Sequence, residues 1–161
     1  MDHMRIRTGN DFAMTPDQAL AMLADPVFWR AVALLSHPVE FQVDADDARV
    51  RTRRTLHSDP SIVSVTGPVI TIVDEIAWED RDGEVRVGQA SAHVEGLPAT
   101  MAGTVRLHPG GRGTLLDYDG ELAIRVPLFG SVLERRAAPV LKEAIVLQQQ
   151  VADAWQARPS Q

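Results

Sequence analysis

The chain has 161 residues, 45% of them hydrophobic, which suits one domain with an ordinary buried core. It has no cysteine, which excludes disulfides and thiolate metal sites, and its net charge of -6 argues against non-specific nucleic-acid binding. No run of about 18 apolar residues occurs, so no membrane span is expected. The opening MDHMRIRTGNDF also lacks the apolar segment of a secretory signal, and a cytoplasmic protein is expected. A single domain over residues 1–161 follows, with Met4 read as the natural start, residues 1–3 as a cloning remnant and residues 157–161 as a flexible tail.

A first strand is expected over residues 4–12. Thr15-Pro16-Asp17-Gln18 then supplies an N-cap, a proline at the first helical position and a capping-box glutamine, and the short helix runs to Ala24. Asp25-Pro26 repeats the start signal for a second helix over 27–35. From Val39 to Arg125 the hydrophobic period changes to two, the signature of half-buried strands. VEFQVD and RVRTRRTLH flank a turn at 45–48, and pairing Asp44 with Arg49 puts Glu40 opposite Arg53 and Val43 opposite Val50. Arg49, Arg51 and Arg53 then form a solvated face with acidic neighbours rather than a nucleic-acid patch, while Arg54 has the parity to point inward.

VITIVDEIAWED and GEVRVGQASAHVEG form the next hairpin about Asp80-Arg81-Asp82-Gly83, followed by ATMAGTVRLHP and GTLLDYDGELAIRV. Matching faces sets Ile76 opposite Val87, Asp74 opposite Gln89, Ser91 opposite Gly103, Gly103 opposite Gly120 and Val105 opposite Tyr118. One flaw is that Glu79 falls opposite Glu84; a one-residue slip there would reverse that strand's faces. On this reading Ile72, Ser91, Gly103 and Gly120 form a small-residue row across the inner face. The flanking rows are Ile70, His93, Met101 and Leu122 on one side, and Asp74, Gln89, Val105 and Tyr118 on the other.

The closing segment RVPLFGSVLERRAAPVLKEAIVLQQQVADAWQ reads as a long helix with a broad apolar face through Leu133, Ala137, Val140, Ala144, Leu147, Val151 and Trp155. Ser131-x-x-Glu134 has capping-box spacing, and residues 131–155 span roughly 36 Å at about 1.5 Å per residue. Pro139 predicts a kink. Such a helix can cover the inner face of the sheet, and the small-residue row would leave space between them.

The order β-αα-β6-α resembles the START-like (SRPBCC, helix-grip) superfamily. FAMTPDQALAMLADPVFW, GLPATMAGTVRLHPGGRGTLLDYDGELAIRVPLFGSVLE and the closing helix resemble an uncharacterised actinobacterial domain-of-unknown-function branch of it. The resemblance implies an α+β helix-grip fold, a curved antiparallel sheet of about seven strands wrapped around the kinked helix. It also implies a cavity for a lipid, sterol, polyketide or similar molecule, and it carries over no catalytic residue.

Candidate cavity-lining residues are Arg54, Ile72, Asp74, Gln89, Ser91, His93, Met101, Gly103, Val105, Tyr118, Gly120, Leu122, Val140 and Ala144. The leading expectation is non-catalytic binding of a hydrophobic or amphipathic small molecule. A cyclase, aromatase or dehydratase using Asp74, His93 and Tyr118 is the first alternative. A protein-interaction module with a vestigial cavity is the second. The five histidines are too scattered for a metal motif, no cofactor is expected, and the Gly110-Gly111-Arg112-Gly113 stretch reads as a hairpin loop rather than a phosphate cradle. Nothing in the sequence fixes the oligomeric state.

Overall fold

The computed structural model describes residues 4–156; the expected cloning remnant at 1–3 and tail at 157–161 lie outside the described residues. The elements are β1 (Met4–Phe12), α1 (Pro16–Leu23), α2 (Pro26–Leu35), β2 (Glu40–Ala45), β3 (Arg49–His57), α3 (Val63–Thr66), β4 (Val69–Trp78), β5 (Arg86–Val94), β6 (Ala99–Gly110), β7 (Gly113–Ile124) and α4 (Gly130–Gln156). The seven strands form one antiparallel sheet in the order β1-β7-β6-β5-β4-β3-β2. Only the single turn α3 lacks a counterpart in the sequence reading.

The start signals of α1 and α2 act as read. Thr15 caps α1, its Oγ1 accepting from Gln18 N–H at 3.2 Å while Gln18 Oε1 accepts from Thr15 N–H at 2.9 Å. Asp25 caps α2 by accepting from Val27 N–H at 2.8 Å. α4 runs continuously through Pro139. The Glu134 carboxylate turns to the sheet instead of completing a capping box, accepting from Ile124 N–H at 2.9 Å.

Registers divide into three outcomes. β6 and β7 pair as expected, with Val105 opposite Tyr118 and Gly103 opposite Gly120. β2 and β3 slip by two residues, so Glu40 faces Thr55, but an even slip keeps every side chain on its face. Arg49 and Arg51 accordingly meet Glu75, and Arg53 meets Glu95 and Glu40, on the outer surface.

β5 is the correction. Ile76 faces Ala90 instead of Val87, Asp74 faces Ala92 instead of Gln89, and Gly103 faces Ala90 instead of Ser91. Both slips are odd, so β5 is inverted: Gly88, Ala90 and Ala92 are buried, and Gln89, Ser91 and His93 are exposed. The cause is the asymmetric β4–β5 connection. The pairing that sets Trp78 opposite Gly88 gives way to a bridge between Asp82 and Val85, leaving three residues on one arm and two on the other. The inversion also removes the clash of Glu79 with Glu84, since Glu79 N–H now bonds Val87 C=O.

The main core lies toward one end of the sheet. Phe12, Met22, Leu23, Phe28, Leu107 and Leu116 are fully buried there, joined by Val151 and Ala152 of α4. Phe28 packs edge-on to Trp29 and Trp155, at centroid separations of 5.1 and 5.9 Å. The other end of the sheet is not filled this way.

Candidate functional site

Two chambers lie between the sheet and α4. The inner one, about 110 Å³, is bounded by β3, β4, β6 and β7, by α2, and by Leu141, Ala144, Ile145 and Gln148 of α4. The outer one, about 310 Å³, extends under residues 133–141 to the segment around α3. Met101 and Leu141 line both and stand at their junction.

The inner chamber holds a hydrogen-bonded polar cluster in an otherwise apolar lining. Strand alternation brings Val50, Thr52 and Arg54 of β3 to its wall, with Asp74 between the buried Ile72 and Ile76 on β4. Arg54 Nη2 and Thr52 Oγ1 each donate to Asp74 Oδ2 at 3.3 Å. The Arg54 side chain is 11% exposed and that of Asp74 35%, the latter facing the chamber it lines. Burial is the dominant influence on Asp74 and raises its pKa, partly offset by the charge and hydrogen bond of Arg54 and by the bond from Thr52. Across the chamber, Tyr118 Oη donates to Gln148 Oε1 at 3.0 Å. Burial pushes the Tyr118 phenol up, so it remains a neutral donor at ordinary pH.

The outer chamber is mainly apolar. Ile62 and Val65 close it on one side, Ile70, Ile72 and Leu122 form its floor, and Leu133, Ala137 and Val140 its roof. Its polar borders are His57, Asp59, Thr66, Thr100, Arg136 and the exposed His93. The two chambers are neighbours under α4, with Met101 and Leu141 between them.

The predicted lining residues sort clearly. Arg54, Asp74, Gly103, Tyr118, Gly120 and Ala144 meet at the inner chamber; Ile72, Leu122 and Val140 meet at the outer one; Met101 belongs to both. Gln89 lines neither, because the β5 inversion turns it to the outer surface. Ser91 and His93 border the chambers only from the exposed face of that strand. Val105 also lines neither chamber, since it is fully buried in the main core. Asp74 and Tyr118 share the inner chamber, whereas His93 is exposed and borders the outer one, near enough for its charge to act on Asp74 but without a hydrogen bond to either.

The small-residue row has a different reason from the expected one at Gly103. A Cβ there would run into the backbone of Asp119 and Gly120, so glycine permits close strand approach. Sequence reasoning missed Thr52 and Gln148. Gln148 was legible: it follows Ala144 by four residues and precedes Val151 by three, placing a polar group on the apolar helix face. The wall that Ile62 and Val65 give the outer chamber had no comparable signal, because it depends on how the segment 58–67 folds back.

Residues 9–155 match the family described as "Protein of unknown function (DUF2505)". No curated protein matches the sequence. Among solved structures, Ara h 8.0201 superposes with a TM-score of 0.60 at 7% identity, covering 98% of this chain and 99% of that one. A Thermus thermophilus protein, TTHA0849, gives 0.59 at 15% identity, covering 95% of each chain. A point mutant of Thalictrum norcoclaurine synthase, bound to a transition-state analogue, gives 0.58 at 12% identity, covering 95% and 96%. These likenesses establish the fold: a seven-stranded antiparallel sheet gripping a long C-terminal helix, as in Bet v1-like proteins.

Proposed function

The chain belongs to the DUF2505 family, and from that premise we propose that it binds a small amphipathic molecule non-catalytically in the cytoplasm. The carrying observation is a pair of neighbouring, largely apolar chambers that share Met101 and Leu141 as lining, with Arg54, Asp74, Tyr118 and Gln148 gathered in the inner one. An outer chamber of about 310 Å³ lies at the lower end of the range for small-molecule sites. The ligand's apolar body, of lipid, sterol or polyketide character, lies under residues 133–141. Its polar end meets Arg54, Asp74, Tyr118 and Gln148. A neutral group that both donates and accepts suits this end, since Arg54 and Asp74 offset one another's charge. The fold neighbour crystallised with a transition-state analogue supports small-molecule occupancy of such a fold.

Native and denaturing mass spectra of one gently purified sample test the reading. A mass lost only on denaturation is the expected result, and its formula identifies the ligand class. A purely ligand-free mass, together with no saturable uptake of a hydrophobic fluorescent probe, would overturn it.

A further inference from the structure

The β7–α4 connection presents an apolar tip that the fold does not use. Leu128 is 95% exposed and holds a φ of 70°, a conformation uncommon for a side-chain-bearing residue. Phe129 and Val132 are 52% and 39% exposed. Val126 before the tip and Leu133 after it both line the outer chamber, so these side chains stand at its rim. Across the chamber, Val63 of α3 is also exposed, beside the lining residues Ile62 and Val65.

Charge surrounds this rim on one side. Residues 125–142 contain Arg125, Arg135, Arg136 and Lys142, all exposed, against the single carboxylate of Glu134. Glu134 is buried and occupied with the Ile124 amide. The next carboxylate, Glu143, is exposed just beyond the segment and away from the arginines nearer the tip in sequence. This cationic segment sits in a chain of net charge -6, so it is not a general property of the surface. Asp59 is the carboxylate that borders the chamber opposite Arg136.

We propose that this segment docks the protein peripherally on an anionic lipid surface, with Leu128 and Phe129 inserted and Arg125, Arg135, Arg136 and Lys142 among the headgroups. Apolar side chains flanked by cations match a membrane interface, where burial and attraction to anionic lipids act together. A second copy of the chain is the poorer occupant. A two-fold contact would set the same cationic segment against itself. Docking in this orientation brings the mouth of the outer chamber to the lipid, where an apolar molecule can pass without crossing water.

Vesicle flotation with delipidated protein tests the docking without requiring the cavity's own ligand, so it stands or falls separately from the binding reading. The protein should float with mixed phosphatidylcholine–phosphatidylserine vesicles, much less with pure phosphatidylcholine, and less at high salt. The double variant Leu128→Ser/Phe129→Ser should weaken binding by more than about tenfold. Arg125→Glu/Arg135→Glu should weaken it by at least about twentyfold, at roughly fivefold per charge. Neither pair is buried, so thermal melting of both should match the parent. Absence of flotation, or flotation unchanged by both variants, overturns the proposal. So does a dimer in sedimentation velocity that Leu128→Ser/Phe129→Ser dissolves, which would assign the tip to a second copy.

Discussion

The two halves of α4 meet the same sheet on different terms. Residues 145–155 are fastened: Ile145, Val151 and Ala152 are buried, and Trp155 packs on Phe28. Polar groups reinforce that half. Asn10 donates to Ile145 C=O at 3.0 Å, Gln149 exchanges two hydrogen bonds with the Asp11 backbone, and Arg112 bridges Asp11 and Asp153. Residues 133–141 instead roof the outer chamber, with Val140 exposed and Pro139, which has no N–H to donate, among them. One end of the helix supplies stability, which leaves the other free to enclose space.

The largest test of that contrast removes bulk from each half. Phe28→Ala deletes a fully buried ring beneath Trp155 and should cost about 3–5 kcal/mol. Leu141→Ala removes a partly buried side chain that already borders two empty spaces, and should cost only about 1–2 kcal/mol. Urea unfolding gives both values. Equal losses would mean that the roof is as tightly packed as the fastened end, and the distinction would fail.

The middle-sized effect concerns the polar cluster of the inner chamber. Asp74→Asn replaces a carboxylate whose ionisation is opposed by burial with a neutral isostere, so near neutral pH it should stabilise by up to about 1 kcal/mol, modestly because the Asp74 side chain is partly open. The pH dependence has a definite sign. The folded pKa of Asp74 is raised, so the folded chain holds a proton that the unfolded chain has already lost. The associated stability is fully present below the ordinary carboxylate pKa and is lost as pH rises through the raised one. Unfolding midpoints measured across that interval should fall with rising pH in the parent. The contribution should be missing from Asp74→Asn.

This contrast was only partly legible in the sequence. Caps announced themselves through Thr15, Gln18 and Asp25, whose partners lie within a few residues. The β6–β7 register was legible because both strands alternate strongly and a short loop joins them. β5 was misread although its own alternation was plain: Gly88, Ala90 and Ala92 on one side, Gln89, Ser91 and His93 on the other. Choosing the polar set for the interior rested on an assumed symmetric turn, and the opposed Glu79 and Glu84 marked that turn as wrong. The inward side of Arg54 was anticipated correctly because an even slip in β2–β3 changes no face. The outer chamber was legible in part: Ile70, Ile72, Met101, Leu122 and Val140 were read from the sheet and helix faces, whereas Ile62 and Val65 come from a segment whose fold-back only tertiary contacts decide.

The smallest stability effect should accompany the largest functional one. Ala137 lines the outer chamber and is only partly buried. Ala137→Phe places a ring in existing space instead of in close-packed core, so unfolding free energy should change by no more than about 0.5 kcal/mol. The space for a ligand's apolar body would nevertheless be largely occupied. Saturable uptake of a hydrophobic probe should therefore fall at least about tenfold, as though more than about 1.4 kcal/mol of binding were removed. The same substitution in the fastened half, Ala152→Phe, meets a residue only 1% exposed and should destabilise the fold by overpacking. If Ala137→Phe behaved like Ala152→Phe, the roof would be core, and the chamber would lose its claim to a ligand.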